Sequence, residues 1–330
     1  EAVRKLSYKR IREIGTENVP SDGAVIYAPN HANALMDALI ILAMDQKPKV
    51  FVARADIFRN PFLAKAFKFL KIMPIMRMRD GINEVKKNNE IIEKSVDVLK
   101  DKIPFCIFPE GQHLAKHSAQ PLSKGIFRIA FQAMELMGDT PLYIVPVGLQ
   151  YGNFFRFRST VRVEVGKPIN VGEFLKTHAE LTPQEQMNVL KEDLSGRIKS
   201  LITYIPDDEN YNATYEVCAA GMKSQRMEMV KAAKVRGLNR KFAHFQANKA
   251  LLEKIGAMKE NQPEKFGKLM ELGNEAYAER TSKEISLSSI TNRFGFKQRR
   301  LGFLFSLLLL PYSIPASLLV LPINLACAKI

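Results

Sequence analysis

The sequence predicts an α/β protein, in which a mixed β-sheet is flanked by helices and followed by a mainly helical region and a C-terminal hydrophobic segment. Short β-branched runs alternate with segments of helical periodicity over residues 22–170, and strand signals become scarce after Pro168. From Leu301 to Ala328 the chain carries no charged side chain. Alternating strands and helices are typical of a sheet covered by helices. The 330 residues are too many for one ordinary domain and suit two.

The alternating part predicts six strands and four helices. The strands are expected at 24–28, 50–53, 72–76, 105–108, 142–147 and 161–165. The helices are expected at 33–46, 60–70, 82–100 and 123–138, with later ones over 183–204 and within 210–295. Thr182 suits the N-cap and Pro183 the first position of the helix at 183–204. We therefore expect an α/β domain at 1–170, a helical region at 171–300 and the hydrophobic segment at 301–330.

The composition excludes a disordered chain and a disulfide-stapled scaffold. Hydrophobic residues make up 46% of the chain and charged residues 25%, and the 3 cysteines lie far apart among apolar neighbours. They are expected to be reduced packing residues of a chain that faces the cytosol. Lys and Arg number 49 against 34 Asp and Glu, a formal net charge of +15. This balance favours an anionic partner, such as nucleic acid, an acidic membrane surface or a phosphorylated ligand.

The uncharged C-terminal run is predicted to be a membrane segment. As one helix it would measure about 42 Å, more than the roughly 30 Å of a hydrocarbon core. Pro311, Pro315 and Pro322 favour a kinked span or a re-entrant pair, and a buried core helix is the alternative. Basic residues precede the run, so residues 1–300 are expected on the cytoplasmic side. The chain begins with Glu1 and opens with no secretory signal, and we expect native sequence to be missing at one or both ends.

The first candidate site follows the predicted strand at 24–28. Asn33 suits the N-cap of the next helix, which places His31 in the strand-to-helix turn and Asp37 in the first helical turns. From the turn, the His31 ring can fold back and hydrogen-bond the Asp37 carboxylate. A histidine held in this way has a fixed tautomer and a second nitrogen able to take a proton from a hydroxyl. A satisfied structural pair is the alternative.

Other candidate groups stand at strand ends or helix starts. Phe108-Pro109-Glu110-Gly111 ends an apolar strand, and a carboxylate beside a glycine suits either a ligand-lined turn or an ordinary one. Arg77 and Arg79 follow another strand and can clamp a phosphate by forked hydrogen bonds, or be solvated surface charges. Lys124-Gly125 opens a helix, and Val145-Pro146-Val147 lies in a strand that ends in a turn.

In this order the groups resemble the glycerophospholipid acyltransferase family, which includes lysophosphatidic acid and glycerol-3-phosphate acyltransferases. The resemblance covers about residues 20–170. Asn30, His31 and Asp37 match the family's Asn-His and Asp motif, with five intervening residues instead of four. This extra residue is similar to that of fungal-type glycerol-3-phosphate or dihydroxyacetone-phosphate acyltransferases. The remaining matches are Ile75-Met76-Arg77, Phe108-Pro109-Glu110-Gly111, Lys124-Gly125 and Val145-Pro146-Val147.

The resemblance implies a membrane-bound O-acyltransferase of phospholipid synthesis, in which His31 is the base and Asp37 orients it. The implied substrate-binding residues are Asn30, Arg77, Phe108, Pro109, Glu110, Gly111 and Lys124, with Arg77 and Lys124 on the phosphate. Acyl-CoA or acyl-carrier protein is the implied acyl donor, and no cofactor or metal is expected. The expected acceptor is 1-acyl-glycerol-3-phosphate (lysophosphatidic acid), with glycerol-3-phosphate or dihydroxyacetone phosphate as the alternative.

Other functions fit the sequence less well. A non-catalytic lipid-binding protein on the same scaffold is a second class, and the basic stretch Lys223–Lys259 suits either anionic headgroups or a solvated helix face. Nucleic-acid binding is disfavoured because the chain has its own predicted membrane anchor. His113 and His117 have the spacing of two helical metal ligands; Glu110 could complete the set, but it is better assigned to the substrate, and no other ligand is in view. No G-x-S-x-G elbow, P-loop or dinucleotide glycine pattern occurs, which argues against a serine hydrolase or a nucleotide-cofactor enzyme.

Overall fold

The structure is a computed structural model of the chain, and it describes most of residues 7–285. The described residues are 7–45, 47–54, 58, 61, 64–65, 67, 71–75, 88–138, 140–154, 159–232, 243–285, 287, 303–304, 307–311 and 314.

A mixed β-sheet forms the centre of the described part. Its strands are β1 (Tyr8–Ile14), β2 (Ala24–Pro29), β3 (Val50–Arg54), β4 (Ile72–Ile75), β5 (Phe105–Cys106), β6 (Leu142–Tyr151), β7 (Ser159–Val165) and β8 (Ile169–Asn170). They lie in the order β1-β7-β6-β2-β5-β3-β4, with β8 paired to β6. From β6 to β4 all neighbours are parallel, whereas β7 and β8 run antiparallel to β6. The predicted mixed sheet is therefore confirmed.

The six predicted strands are all present, and two more were missed. β6 continues four residues beyond the predicted end at 147, and β5 is two residues shorter than predicted. β1 was missed because this edge strand is exposed and carries Lys9, Arg10 and Arg12, so it lacks an apolar run. The two-residue β8 is too short to leave a periodic signal.

The helices are α1 (Ala34–Leu42), α2 (Asn88–Lys100), α3 (Gly125–Leu136), α4 (Val171–Thr177), α5 (Pro183–Leu201), α6 (Tyr211–Ala232), α7 (Ala243–Asn261) and α8 (Pro263–Ser282), and a short 3₁₀ helix spans Thr16–Asn18. The predicted start of α5 is confirmed, since Thr182 caps it in a capping box with Glu185 and Pro183 is its first residue. The predicted helix at 60–70 and the 82–87 part of the next lie largely outside the described residues.

Helices cover both faces of the sheet because buried residues alternate along its strands. Ala24, Ile26 and Ala28 of β2 lie in one cluster with the apolar sides of α2, α3, α4 and α5. Val25 and Tyr27, the residues between them, lie in a second cluster that contains Ile40 and Ile41 of α1. This two-residue alternation gives an arrangement of helices, sheet and helix, with α1 on one side of the sheet.

The region after the sheet is helical, as predicted. α6, α7 and α8 pack together around Ala213, Cys218, Ile255 and Met270. The predicted boundary at residue 170 stays a prediction; α4 and α5, which follow it, contribute Val171, Leu190, Leu194 and Ile198 to the core of the sheet.

The predicted C-terminal membrane segment at 301–330 lies mostly outside the described residues. Its described members are helical and exposed, among them Phe303, Leu304 and Leu307–Leu310. Within the described part of the chain, no helix has both the length and the apolar character needed to cross a membrane. The predicted membrane segment stays a prediction.

Candidate active site

The candidate site lies at the carboxyl edge of the parallel strands. Parallel strands end at a common edge, which is where α/β sheets place their ligand-binding loops. His31 follows the end of β2 by two residues, Phe108–Gly111 follow β5, and Tyr151 is the last residue of β6. β2 is hydrogen-bonded to both β5 and β6, so these three strand ends are neighbours.

Asp37 projects from α1 into the buried layer between this helix and the sheet. Asp37, Ile40 and Ile41 share one face of the helix, and the Asp37 carboxylate is fully buried. Its Oδ2 accepts a hydrogen bond from the Asn33 backbone N–H at 2.7 Å and lies 2.8 Å from His31 Nδ1. Its Oδ1 accepts a hydrogen bond from the Tyr151 hydroxyl. Donors to both oxygens offset the desolvation of a carboxylate in this layer.

His31 occupies the strand-to-helix turn, and the predicted contact between its ring and Asp37 is confirmed. Because Nδ1 faces the carboxylate, Nε2 is the nitrogen that can exchange a proton with a ligand. The ring stacks on Phe108 at 4.2 Å between centroids and meets His113 edge-on at 5.7 Å. The His31 side chain is 18% exposed, whereas that of Asp37 is 0% exposed. Of the pair, it is therefore the histidine that a ligand can reach.

The two asparagines of the turn hold the backbone in place. Asn30 is buried, and its side chain donates to the Leu149 carbonyl at 3.2 Å and accepts from the Leu149 N–H at 2.6 Å. Asn33 is the N-cap residue of α1, as predicted, but its side chain makes no capping hydrogen bond. It donates instead to the Phe154 carbonyl at 3.0 Å. The predicted substrate contact of Asn30 stays a prediction, because in the structure its side chain anchors β2 to β6.

Glu110 is buried beside the histidine. The backbone N–H groups of His31 and Gln120 face its carboxylate, while its Oε1 is buried without a hydrogen-bond partner among the described residues. The pKa of this carboxyl is raised to about 8, mainly by burial; the two backbone N–H groups oppose the rise, and the nearby Asp37 charge contributes to it. Glu110 therefore lies between the turn after β2 and the loop before α3.

The turn after β5 brings the remaining described candidates together. Gly111 has φ +68°, a backbone conformation that favours glycine, and its N–H donates to the Phe108 carbonyl at 3.1 Å. The buried Pro109 accepts a hydrogen bond from the Ser123 N–H at 2.7 Å. Lys124 follows Ser123, is exposed and stands at the N-cap of α3. The loop thus presents a cation and a helix N-terminus next to the turn that packs on His31.

The remaining predicted ligands are Arg77 and the pair His113 and His117. Arg77, the other predicted phosphate ligand, lies outside the described residues. His113 and His117 do not lie on a helix, so their spacing is not that of two ligands on one helical face. His117 packs instead on Phe154 and Tyr215, and burial lowers its pKa to about 4. Among the described residues, no group of three or more His, Cys, Asp or Glu side chains is placed to hold a metal ion.

Tyr151 was missed by the sequence analysis, which ended the strand at Val147. Tyr151 is 1% exposed and is the last residue of β6, four positions later. A signal existed, because Val145, Val147, Leu149 and Tyr151 continue the alternation that places one face of the strand toward α1. An aromatic hydroxyl at the end of that run reaches the same layer as Asp37.

Residues 10–150 match the model of the Acyltransferase family. Over 150 residues, 44% of this chain, the sequence is 27% identical to glycerol-3-phosphate O-acyltransferase 2 of Saccharomyces cerevisiae, of which it covers 20%. Over 168 residues, 51% of this chain, it is 27% identical to 1-acyl-sn-glycerol-3-phosphate acyltransferase of Cocos nucifera, of which it covers 50%. The crystal structure of a 1-acyl-sn-glycerophosphate acyltransferase from Thermotoga maritima gives a TM-score of 0.41 at 17% identity, over 61% of this chain and 78% of that chain.

The fold and the site thus describe an α/β domain with a His–Asp pair at the carboxyl edge of its sheet. Residues 10–150 match the Acyltransferase family model, which confirms the resemblance seen in the sequence. The chain spans about half the length of the coconut relative and a fifth of the yeast relative.

Proposed function

We propose that the protein is a glycerolipid O-acyltransferase, which moves a fatty acyl group from a thioester donor to the free hydroxyl of 1-acyl-glycerol-3-phosphate. The observation that carries this proposal is the 2.8 Å contact between His31 Nδ1 and the buried Asp37, in a domain of the Acyltransferase family. A histidine held by a carboxylate through one nitrogen is arranged to act as a base through the other.

In the proposed reaction, His31 Nε2 takes the proton of the acceptor hydroxyl while its oxygen attacks the thioester carbonyl carbon. The negatively charged Asp37 stabilises the imidazolium that forms. The carbon–sulfur bond then breaks, and the imidazolium returns the proton to the leaving thiolate. The proposed mechanism needs no acyl-enzyme. Among the described cysteines, Cys106 and Cys218 are buried, and burial raises the pKa of both thiols. Cys327 lies outside the described residues.

The acceptor phosphate is assigned to Lys124 and Arg77, and the glycerol to the turn at Phe108–Gly111. Lys124 stands at the N-terminus of α3, where the helix dipole also favours an anion. Backbone N–H groups near this turn are assigned to the developing oxyanion. Acyl-CoA or acyl-carrier protein is the proposed donor, and both are anionic, in keeping with the net charge of +15.

A second acceptor, glycerol-3-phosphate or dihydroxyacetone phosphate, is favoured by specific observations. The five residues between His31 and Asp37 resemble the spacing of fungal-type enzymes, and the yeast relative is a glycerol-3-phosphate acyltransferase. The chain covers a larger share of the 1-acyl-sn-glycerol-3-phosphate acyltransferase of coconut than of the yeast relative. This supports 1-acyl-glycerol-3-phosphate as the acceptor.

A substrate panel tests the function and chooses the acceptor. Purified protein is assayed with acyl-CoA and acyl-carrier-protein donors against lysophosphatidic acid, glycerol-3-phosphate and dihydroxyacetone phosphate. His31→Ala is expected to lower kcat/KM on the order of 10³-fold, since general-base catalysis contributes about 10²- to 10⁴-fold. His178→Ala is the matched control, because His178 packs on Phe174 at the end of α4, outside the site.

Two results would contradict the proposal. Acyl transfer that survives in His31→Ala would remove the base assignment. A folded wild-type protein that transfers no acyl group with any donor and acceptor, yet binds phospholipid vesicles with or without His31 and Asp37, would favour a non-catalytic lipid-binding protein.

A further inference from the structure

The buried Asp37 carboxylate is held from two sides of its layer. His31 and the Asn33 N–H approach Oδ2 from the turn before α1, while the Tyr151 hydroxyl approaches Oδ1 from the far end of β6. Asp37 and Tyr151 are 114 positions apart in the sequence and are 0% and 1% exposed. The hydroxyl therefore acts on Asp37 inside the protein and has no direct access to a substrate in the cleft.

The tyrosine is suited to remain a hydrogen-bond donor. Burial raises its pKa well above the ordinary value, and the charge of Asp37 raises it further, so the hydroxyl keeps its proton at neutral pH. Its ring is packed against Tyr8 and Phe154, with centroids 6.0 and 5.7 Å away. A rigid neutral donor in this position favours the ionised form of the carboxylate and fixes its rotation about the Cβ–Cγ bond.

We propose that Tyr151 is a positioning residue of the His31–Asp37 pair, whose hydroxyl holds Asp37 ionised and turned toward His31 Nδ1. The proposal rests on the proposed acyltransferase function, and it adds a tyrosine from β6 to a pair that the sequence places between β2 and α1. Because Tyr151 is 1% exposed and its hydroxyl is bonded to Asp37, its proposed effect on the rate passes through Asp37.

Removing the hydroxyl leaves a buried carboxylate oxygen without its donor. The free-energy cost of the lost hydrogen bond is largest when His31 is neutral, because no imidazolium then compensates the charge of Asp37. The His–Asp pair consequently keeps its proton to a higher pH, and the acidic limb of the kcat/KM profile moves upward. The other titratable groups around the pair are Tyr8 from β1, Cys106 from β5, and Glu110 and His113 from the loop after β5, and all of them stay in place.

The experiment compares Tyr151→Phe with Tyr27→Phe in the full chain. Tyr27 is an equally buried tyrosine on the α1-facing side of the sheet, but its hydroxyl lies 3.4 Å from Asp45 Oδ2, outside the site. Tyr151→Phe is expected to lower kcat about 10- to 100-fold, the size expected for a lost hydrogen bond to a charged group. KM stays within about twofold, and the midpoint of the acidic limb rises by roughly half a pH unit to one. Tyr27→Phe is expected to keep the wild-type kcat, KM and midpoint of the acidic limb.

A double-mutant cycle separates action through Asp37 from a general loss of structure. In an Asp37→Asn background, adding Tyr151→Phe should change kcat by less than about threefold. If the phenylalanine variant unfolds, 3-fluorotyrosine at position 151 replaces it. This more acidic hydroxyl is a stronger donor, so it should move the acidic limb to lower pH.

The outcomes distinguish this proposal from the proposed function. An inactive wild-type protein, or an active His31→Ala variant, overturns the function and this assignment together. If those two proteins behave as expected, the assignment of Tyr151 alone is overturned by unchanged kcat in Tyr151→Phe, by equal losses in Tyr27→Phe, by additive losses in the Asp37→Asn background, or by an acidic limb that fluorination leaves in place.

Discussion

At the scale of single residues, burial decides what each charged group of the site can do. Asp37 and Glu110 are both buried carboxyls beside His31, but their partners differ. Asp37 has donors on both oxygens, whereas Glu110 keeps one oxygen without a partner among the described residues. Burial accordingly raises the pKa of Glu110 to about 8. Glu110 is therefore expected to hold its proton near neutral pH, whereas both oxygens of Asp37 accept hydrogen bonds next to His31.

Glu110 predicts a pH dependence of stability. Its folded-state pKa of about 8 lies above the ordinary 4.5, so the folded protein holds this proton more tightly than the unfolded chain. The stabilisation is complete below about pH 4.5 and is lost as pH rises through 8. Glu110→Gln should flatten this decline, which amounts to on the order of a few kcal/mol in the free energy of unfolding between pH 5 and 9.

Urea unfolding at several pH values measures this decline. Glu173→Gln is the control, because Glu173 is exposed in the first turn of α4. A decline that is equally steep in wild-type protein and in Glu110→Gln would show that another group causes it.

At the scale of elements, the turn after β5 and the start of α3 form one unit. The Ser123 N–H bonds to the Pro109 carbonyl, so the helix N-terminus is fixed against the turn that carries Glu110 and Gly111. No acidic residue lies in the first turn of α3, and Lys124 adds a positive charge to the helix dipole there. This end of the helix therefore favours an anion.

Lys124→Ala tests the phosphate assignment. The variant should raise KM for the phosphate-bearing acceptor about 10-fold with kcat within about threefold, since a lost charge-assisted hydrogen bond is worth about 1.5 kcal/mol or more. Lys176→Ala removes an exposed lysine from the last turn of α4 and is the control. The assignment fails if both variants give the same KM, or if Lys124→Ala changes only kcat.

The contact between α6 and α8 depends on a glycine. A Cβ on Gly273 would lie 2.8 Å from the Ala213 carbonyl oxygen and 2.9 Å from its Cα, so the backbones must move apart. Gly267 lies on the same helix, and a Cβ there meets nothing within 4 Å. Gly273→Ala should lower the unfolding free energy by about 1–3 kcal/mol through overpacking, whereas Gly267→Ala should raise it by up to about 1 kcal/mol.

Thermal unfolding and amide hydrogen exchange measure the two glycine variants. Exchange should speed up in α6 and α8 of Gly273→Ala and stay unchanged in α3. Equal stability of the two variants would mean that α6 and α8 can move apart without lowering the free energy of unfolding.

At the scale of the whole molecule, the helical region is tied to the site. The His117 N–H donates to the Tyr211 hydroxyl at 2.9 Å, and the His117 carbonyl accepts from the Ile205 N–H at 2.7 Å. Lys116 and Asp207 form an ion pair at 2.6 Å across the same contact. The loop that contains His113, which meets the His31 ring, is thereby held against the chain leading into α6. Substitutions that disrupt the helical region are therefore expected to displace the loop beside His31.

Membrane association, with residues 1–300 on the cytoplasmic side, is a proposal that rests on the apolar stretch after residue 300 and on the net charge of +15. Leu308 and Leu309 are exposed in the structure, so Leu308→Asp with Leu309→Asp should not disturb the core. The double variant should lose at least about tenfold in affinity for anionic phospholipid vesicles, because Asp costs about 2.5–3.5 kcal/mol at the centre of a membrane helix.

Vesicle co-sedimentation measures this affinity. Leu272→Asp, on the exposed side of α8, is the control. Binding that the double variant retains in full would place the membrane contact elsewhere, with the basic stretch Lys223–Lys259 as the next surface to test.

The sequence by itself determined the parts of the site that lie close together along the chain. His31 and Asp37 are six residues apart, and a turn followed by a helix start leaves few ways to arrange them, so their contact could be predicted. Short β-branched runs predicted the six strands, and a capping residue followed by proline predicted the start of α5. Each of these features is encoded within about ten consecutive residues.

Only the tertiary structure decided which distant groups surround this pair. The register of β2 against β6 brings Tyr151 to Asp37, and pairing of β2 with β5 brings Phe108 to the His31 ring. Burial in the folded core, which no local pattern encodes, raises the pKa of Glu110. The physical reason is that strand order and layer packing minimise the exposed apolar surface of the whole domain, so contacts across the sheet are fixed by all of its strands together.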